Sequence, residues 1–114
     1  MKYQDCIAIY QNDPRDVHTI PHNSSPIWFH TGVENGQLFV EQAHSRTPSS
    51  TMVGRRFLPE NEFYPVLSLY IRRKRGEHVS QEAQKATQNQ VYWYGIFHDL
   101  DLEVAFQRRE AGEV

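Results

Sequence analysis

The sequence has few of the features that mark disulfide-linked, metal-dependent or membrane proteins. Cys6 is the only cysteine, which excludes an intrachain disulfide and a zinc site built on several thiolates. The six glycines are scattered, and no glycine-rich phosphate-binding pattern occurs. No apolar run approaches the roughly 18–20 residues that a membrane-spanning helix needs. We therefore expect a soluble protein that does not enter a membrane and has no resident metal or cofactor.

The chain also lacks an excess of charge of either sign. Twelve Lys and Arg residues face 14 Asp and Glu residues, which gives a formal net charge of -2. Nucleic-acid-binding domains are usually basic overall, so the balance argues against that class unless cations cluster locally. At the N-terminus, Asp5 stands where the apolar region of a signal peptide would begin. We expect a cytoplasmic location.

What is present is the composition of one folded domain. The chain has 114 residues, of which 39% are hydrophobic and 12% aromatic. These values fit a single domain over residues 1–114, with a frayed tail from about residue 107. The order of the local signals predicts an α+β fold, with a mainly antiparallel sheet of about four or five strands and two helices packed on one face.

The strand signals are clearest in the first half of the chain. Segments rich in aromatic and β-branched residues flank Asn35-Gly36 and predict a hairpin from Ile27 to Gln42, because this pair tolerates a positive φ. Tyr3 to Tyr10 is also rich in strand-forming residues and predicts a first strand, with Cys6 as a buried, unreactive thiol. Residues 15–26 and 43–56 are predicted to be loops.

Two helices are predicted in the second half. From Glu60 to Arg75 the apolar residues recur at helical spacing, and basic residues then Gly76 follow at the end. Pro65 is tolerated only in the first helical turn, so a strand over residues 62–75 stays open as the alternative. Ser80 to Asn89 predicts a second helix that Ser80 caps.

The last third of the chain predicts strands. Val91 to Phe97 is dense in aromatic and β-branched residues and predicts a strand, although a continued helix over residues 91–98 stays open. Leu100 to Phe106 alternates apolar with mostly acidic residues, which predicts a final, half-exposed strand.

The aromatic residues support the function that we favour. On a strand, Tyr92 and Tyr94 would face one way and Trp93 the other, so one aromatic face would need cover beyond the helices. We expect a binding module for a small molecule or a protein partner, with an aromatic-lined groove and no catalytic residue. The predicted ligand-binding residues are Trp28, Phe29, Tyr92, Tyr94, His98 and Asp99. Exposed aromatic surface on so short a chain also suggests a homodimer.

The alternative function is that of a nucleic-acid-associated protein. It depends on a local cluster of cations that could contact phosphates. The cluster comprises Arg72, Arg73, Lys74 and Arg75, with Arg55 and Arg56 as possible extensions. Against this interpretation, cations at the end of a helix stabilise its dipole and commonly stay solvated.

A second alternative is a small enzyme, although we lean away from it. On a strand, Asp99, Asp101 and Glu103 in the segment from His98 to Glu103 would share one face, where carboxylates can hold a cation or exchange protons. His30 and His44 could approach each other near the base of the hairpin. The sequence indicates no third ligand for that pair, so no metal site is predicted.

Overall fold

The computed structural model describes residues 1–101 and shows an α+β fold. The strands β1, β2, β3 and β4 form one antiparallel sheet in that order. This confirms the predicted class and sheet, although the described residues hold four helices rather than two. No helix among residues 1–101 is both long enough and apolar enough to cross a membrane. The elements are α1 (Tyr3–Asn12), β1 (Arg15–His18), β2 (Trp28–Glu34), β3 (Gln37–Gln42), β4 (Arg56–Leu58), a short 3-10 turn (Glu60–Glu62), α2 (Phe63–Lys74), α3 (Ser80–Ala86) and α4 (Gln90–Asp99).

The predicted hairpin is confirmed. Strands β2 and β3 pair from Glu34 opposite Gln37 to Phe29 opposite Gln42. Asn35 has a φ of 51° and Gly36 a φ of 76°, which is the left-handed geometry that a two-residue hairpin turn requires. Strands β1 and β4 form the two edges of the sheet. Strand β1 lies in a segment predicted to be a loop, and β4 begins at Arg56, the last residue of the other predicted loop.

The strand predicted from Tyr3 to Tyr10 is wrong, because this segment forms α1. Tyr3, Cys6, Ile7 and Tyr10 are all buried, and their spacing places them on one helical face. The Tyr3 hydroxyl donates to the Leu58 carbonyl and accepts from the Leu38 amide, which ties α1 to two strands. The Cys6 thiol is buried as predicted, and burial raises its pKa to about 12.

The strand predicted from Val91 to Phe97 is also wrong, and the helical alternative is correct. Trp93, Tyr94, Ile96 and Phe97 are all buried in α4. A helix that is apolar on most sides loses the periodic pattern that distinguishes it from a strand. Gly95 lets this helix approach the sheet closely, since a Cβ atom there would lie 2.6 Å from the carbonyl oxygen of His18.

The other C-terminal predictions have mixed outcomes. The helix predicted from Glu60 is confirmed as α2, in which Pro65 occupies the first turn, and the strand alternative is wrong. Helix α3 begins at Ser80 but ends at Ala86. Residues 100–101 form the end of a turn rather than a strand. The rest of the predicted last strand and the tail from residue 107 lie outside the described residues.

One face of the sheet is apolar, and the other, here called the polar face, carries polar side chains together with the rings of Phe39 and Phe57. Val17, Phe29, Leu38, Val40 and Leu58 are buried in the same core as the apolar residues of the helices. Successive residues of a strand point to opposite faces, so their neighbours along each strand form the second face. There Asp16, His30 and Glu41 stand in one row across three strands, because Asp16 pairs with His30 and His30 with Glu41.

Candidate functional site

A cavity of about 610 Å³ lies between the helices and the two loops that flank the sheet. Its walls come from the loop 19–27, the segment 49–51, the end of α2, the start of α3 and the first turns of α4. Hydroxyl groups such as those of Thr19, Ser50 and Ser80 alternate with apolar side chains such as Ile20 and Val79 around it. The volume is within the range of sites that hold a small organic molecule.

Two polar atoms in the lining have no hydrogen-bond partner among the described residues. They are the hydroxyl of Tyr94 and the side-chain oxygen of Gln90, both of which are shielded from solvent. Leaving such a group unpaired costs about 1–3 kcal/mol. Both residues line the same cavity, so a bound molecule could satisfy both atoms once their side chains turn toward it.

Arg73 fixes the wall behind Tyr94. Its guanidinium donates to the Ile20 carbonyl and lies over the Tyr94 ring, 5.0 Å from the centroid. Burial raises the pKa of the Tyr94 hydroxyl, although the nearby Arg73 charge opposes the shift. Tyr94 therefore stays protonated at neutral pH and is able to donate a hydrogen bond.

Tyr92 joins α4 to the opposite wall. Its ring meets the Phe29 ring edge to face, with 5.1 Å between centroids, and its hydroxyl lies 3.4 Å from Ser50 Oγ. The Arg56 guanidinium lies over the same ring at 5.7 Å. These contacts hold the segment 49–51 beside the first turns of α4.

The structure brings only two of the predicted ligand-binding residues to this cavity, namely Tyr92 and Tyr94. Phe29 is fully buried beneath Tyr92. The Trp28 ring packs against His18 and Arg46 instead.

The other two predicted ligand-binding residues lie at the far end of α4. The His98 ring approaches the His18 ring, with 5.6 Å between centroids. Asp99 accepts hydrogen bonds from the Tyr10 hydroxyl and the Arg15 guanidinium. The six residues were grouped on the assumption that residues 91–97 form a strand. Because this segment is the helix α4, the residues that it carries point in other directions than the prediction assumed.

The cations of the nucleic-acid hypothesis do not form one face. Arg72 donates to the carboxylates of Glu77 and Glu82, while Arg73 belongs to the cavity wall. The Lys74 ammonium lies 6.0 Å from the centroid of the Tyr70 ring, and Arg75 ends α2 in an exposed position.

The two earlier arginines are also separated from each other. Arg55 donates to Glu41 and Glu34, whereas Arg56 lies over the Tyr92 ring. Carboxylates of the chain thus hold Arg55 on the polar face of the sheet.

The polar face of the sheet carries a second candidate site, which we call the histidine cluster and define as His30, Glu41 and His44. The rings of His30 and His44 stack at 3.4 Å with an angle of 3° between their planes. His44 Nε2 lies 2.7 Å from Glu41 Oε2, and Arg55 Nε donates to Glu41 Oε1 at 2.7 Å. A cavity of about 230 Å³ adjoins the cluster.

Asp16 supports this cluster from behind. Its carboxylate accepts from the amides of His44, Ser45 and Arg46 and pairs with His30 Nδ1 at 3.0 Å. Burial alone would raise the pKa of Asp16, but the three amides and His30 outweigh it and lower the pKa below the usual aspartate value. Asp16 is therefore ionised at neutral pH.

Sequence reasoning placed His30 near His44 but missed the carboxylates around them. Glu41 is the cross-strand partner of His30, so the register of the confirmed hairpin identifies it. Asp16 could not be identified in this way, because β1 was predicted to be a loop. The two sites rest on this chain's own geometry, since the chain matches no protein-family model, no curated protein and no solved structure.

Proposed function

We propose that this protein is a binding module for an uncharged small molecule that occupies the cavity beside Tyr92 and Tyr94. The observation that carries the proposal is the pair of unpartnered polar atoms, the Tyr94 hydroxyl and the Gln90 oxygen, in the lining of one cavity. Both atoms are shielded in the ligand-free cavity, so each gains a hydrogen bond when its side chain turns toward a ligand that supplies the partner. The surrounding apolar side chains favour a molecule that also buries carbon surface.

The lining indicates the chemistry of the ligand. The Gln90 oxygen only accepts, so the ligand must present an N–H or O–H donor, whereas the Tyr94 hydroxyl can donate or accept. Besides two histidines, the lining carries one cation, Arg73, and one anion, Glu77, whose formal charges cancel and favour neither an anion nor a cation. We therefore propose a neutral ring compound with adjacent donor and acceptor groups, such as a cyclic amide or a purine-like heterocycle.

A matched pair of compounds and a matched pair of variants test this function. Neutral cyclic amides are screened against the ¹⁵N-labelled protein, alongside carbocycles of the same shape that lack the donor. Binding should shift the amide signals of residues 90–94 and the segment 49–51. Tyr94→Phe should weaken the amide compounds roughly 2- to 10-fold, the value of one hydrogen bond, and leave the carbocycles unaffected.

The controls separate a lost contact from a damaged fold. Tyr64→Phe changes an exposed ring outside the cavity lining and should leave affinity unchanged. Tyr94→Phe should unfold at the same or a higher denaturant concentration than the wild type, because it removes an unpaired buried hydroxyl. Compounds that bind without shifting these amides, or a screen with no hit at millimolar concentration, would overturn the proposal.

The cytoplasmic location and the homodimer expected from the sequence are also proposals. Val53, Tyr64, Val91 and Phe57 expose apolar side chains that a second copy could cover. Sedimentation velocity across micromolar concentrations tests the dimer, and a constant monomer mass would contradict it.

A further inference from the structure

We propose that the histidine cluster binds one divalent transition-metal ion of the zinc type, a site separate from the proposed ligand cavity. Each of His30, Glu41 and His44 offers a ligand atom, and the three atoms all lie within 4.8 Å of one another. Two imidazole nitrogens and one carboxylate oxygen form a donor set that suits Zn²⁺ and its neighbours rather than Ca²⁺ or Mg²⁺.

The backbone brings these ligands together independently of any metal. His30 and Glu41 are direct partners in the hairpin, and His44 follows two residues after β3 ends. The amide of His44 is held by the Asp16 carboxylate, so its position beside His30 is fixed by β1. Folding of the sheet therefore creates the site.

The two ligands on the strands, His30 and Glu41, each have a partner on the side away from the metal. His30 Nδ1 donates to Asp16, which directs the free lone pair to Nε2. Arg55 bonds Oε1 of Glu41 and leaves Oε2 for the metal. A carboxylate behind a ligating histidine is a common support in zinc sites, where it fixes the ring and increases its basicity.

Metal binding requires the contact between His44 and Glu41 to break. At 2.7 Å, His44 Nε2 donates a hydrogen bond to Glu41 Oε2. The metal takes a lone pair from each atom, so the proton of the neutral imidazole moves from Nε2 to Nδ1 through solvent. The parallel rings also require His44 to turn, since in-plane lone pairs of stacked rings do not converge. Its side chain is 56% exposed and is free to do so.

The adjoining cavity provides room for further ligands. It is lined by Tyr10, Gly32 and Phe39 in addition to the cluster, and its volume of about 230 Å³ accommodates water molecules. Three protein ligands and one solvent position are the arrangement of an open zinc site.

Calorimetry of the chelator-treated full chain with ZnCl₂ tests the site. We expect one ion per chain. Cobalt(II) should give the visible absorption bands of a four-coordinate ion. Absence of stoichiometric binding at tens of micromolar protein would overturn the proposal.

Variants locate the ion on the chain. His44→Ala and Glu41→Gln should each weaken binding by at least about 10-fold, the lower limit seen even for supporting residues. His22→Ala and His78→Ala change exposed histidines elsewhere and should leave affinity unchanged. Because His44 is exposed, its removal should preserve the ¹⁵N spectrum outside the cluster. Zinc affinity that survives both cluster variants, or that falls in the two controls, would overturn the assignment.

Discussion

The ligand cavity and the histidine cluster differ in whether their polar atoms have hydrogen-bond partners. In the cavity, the Tyr94 hydroxyl and the Gln90 oxygen have no partner in the described chain. In the cluster, His30, Glu41 and His44 all have one. An unpaired buried atom indicates a ligand that adds a hydrogen bond. A cluster whose atoms are all paired can bind a metal ion only if an existing hydrogen bond, such as that between His44 and Glu41, is broken. The first site should therefore respond to neutral compounds and the second to cations.

The largest expected effect comes from Asp16, because its carboxylate accepts hydrogen bonds from three backbone amides and from His30. The effect should be confined to the histidine cluster. Asp16→Asn replaces an acceptor of three amides by a group that presents two N–H donors. We expect a loss of about 3 kcal/mol in the free energy of unfolding, measured by urea denaturation, together with weaker zinc binding. The amide compounds of the cavity should bind as before.

Asp13→Asn is the matched control for this change. Among the described residues, the Asp13 carboxylate bonds only Arg15, and the side chain is 63% exposed. Loss of its charge should therefore change the free energy of unfolding by less than about 1 kcal/mol. Similar losses in the two variants would show that Asp16 has no special role in holding the segment 44–46.

A smaller effect is expected at Gly95, and it should act on the cavity alone. Gly95→Ala places a methyl group 2.6 Å from the His18 carbonyl and 3.0 Å from the Phe29 ring. We expect α4 to move away from the sheet, with a loss of about 2 kcal/mol and altered affinity for cavity ligands. Zinc affinity should be unchanged, and calorimetry on the folded variant measures it.

Gly36→Ala is the control for this change. Space around Gly36 is open, but its φ of +76° makes any side chain unfavourable by about 1 kcal/mol. This variant is expected to destabilise the hairpin without changing either site in the folded state. If Gly95→Ala is the milder of the two, the close approach of α4 to β1 does not limit packing there.

The smallest expected effect is a decrease in the free energy of unfolding at acid pH, which arises from Asp16 behind the histidine cluster. The pKa of Asp16 is lowered in the folded protein, so its contribution to stability is complete above the ordinary value of 3.8 and is lost as pH falls below it. The loss reaches at most about 1.4 kcal/mol per pH unit. Urea denaturation between pH 5 and 3 should therefore show a steeper decline for the wild type than for Asp16→Asn, and parallel declines would contradict this origin.

The sequence predicted best those elements whose signal is local. Asn35 and Gly36 both adopt the positive φ that a two-residue turn requires. The length of this turn then sets which residues of β2 and β3 pair. Helix α2 has one apolar face and a basic end, so its pattern survives in the fold. Helix α1 also carries a helical pattern, with Tyr3, Cys6, Ile7 and Tyr10 on one face, but its strand-forming residues concealed it.

The sites depended on contacts that have no local signal. Tyr92 and Tyr94 line a cavity in the structure, but they do so from the helix α4, whereas the prediction placed them on one face of a strand. The opposite wall of the cavity comes from loops whose positions are set by distant contacts, such as that of Arg73 with Ile20. Asp16 could be assigned to the histidine cluster only if β1 was predicted, and this strand has four residues, too few for a clear sequence pattern.

The buried position of Cys6 allows thiol labelling to measure how often the core opens. Since this is the only cysteine in the sequence, every thiol-specific reagent acts on a single sulfur atom. That sulfur lies in the core and its thiol stays protonated at neutral pH, so modification has to wait until α1 separates from the sheet. The rate of labelling in native buffer therefore measures how often this separation occurs. Because the Tyr3 hydroxyl bonds both β3 and β4, the same event breaks the hydrogen bonds that join α1 to this edge of the sheet.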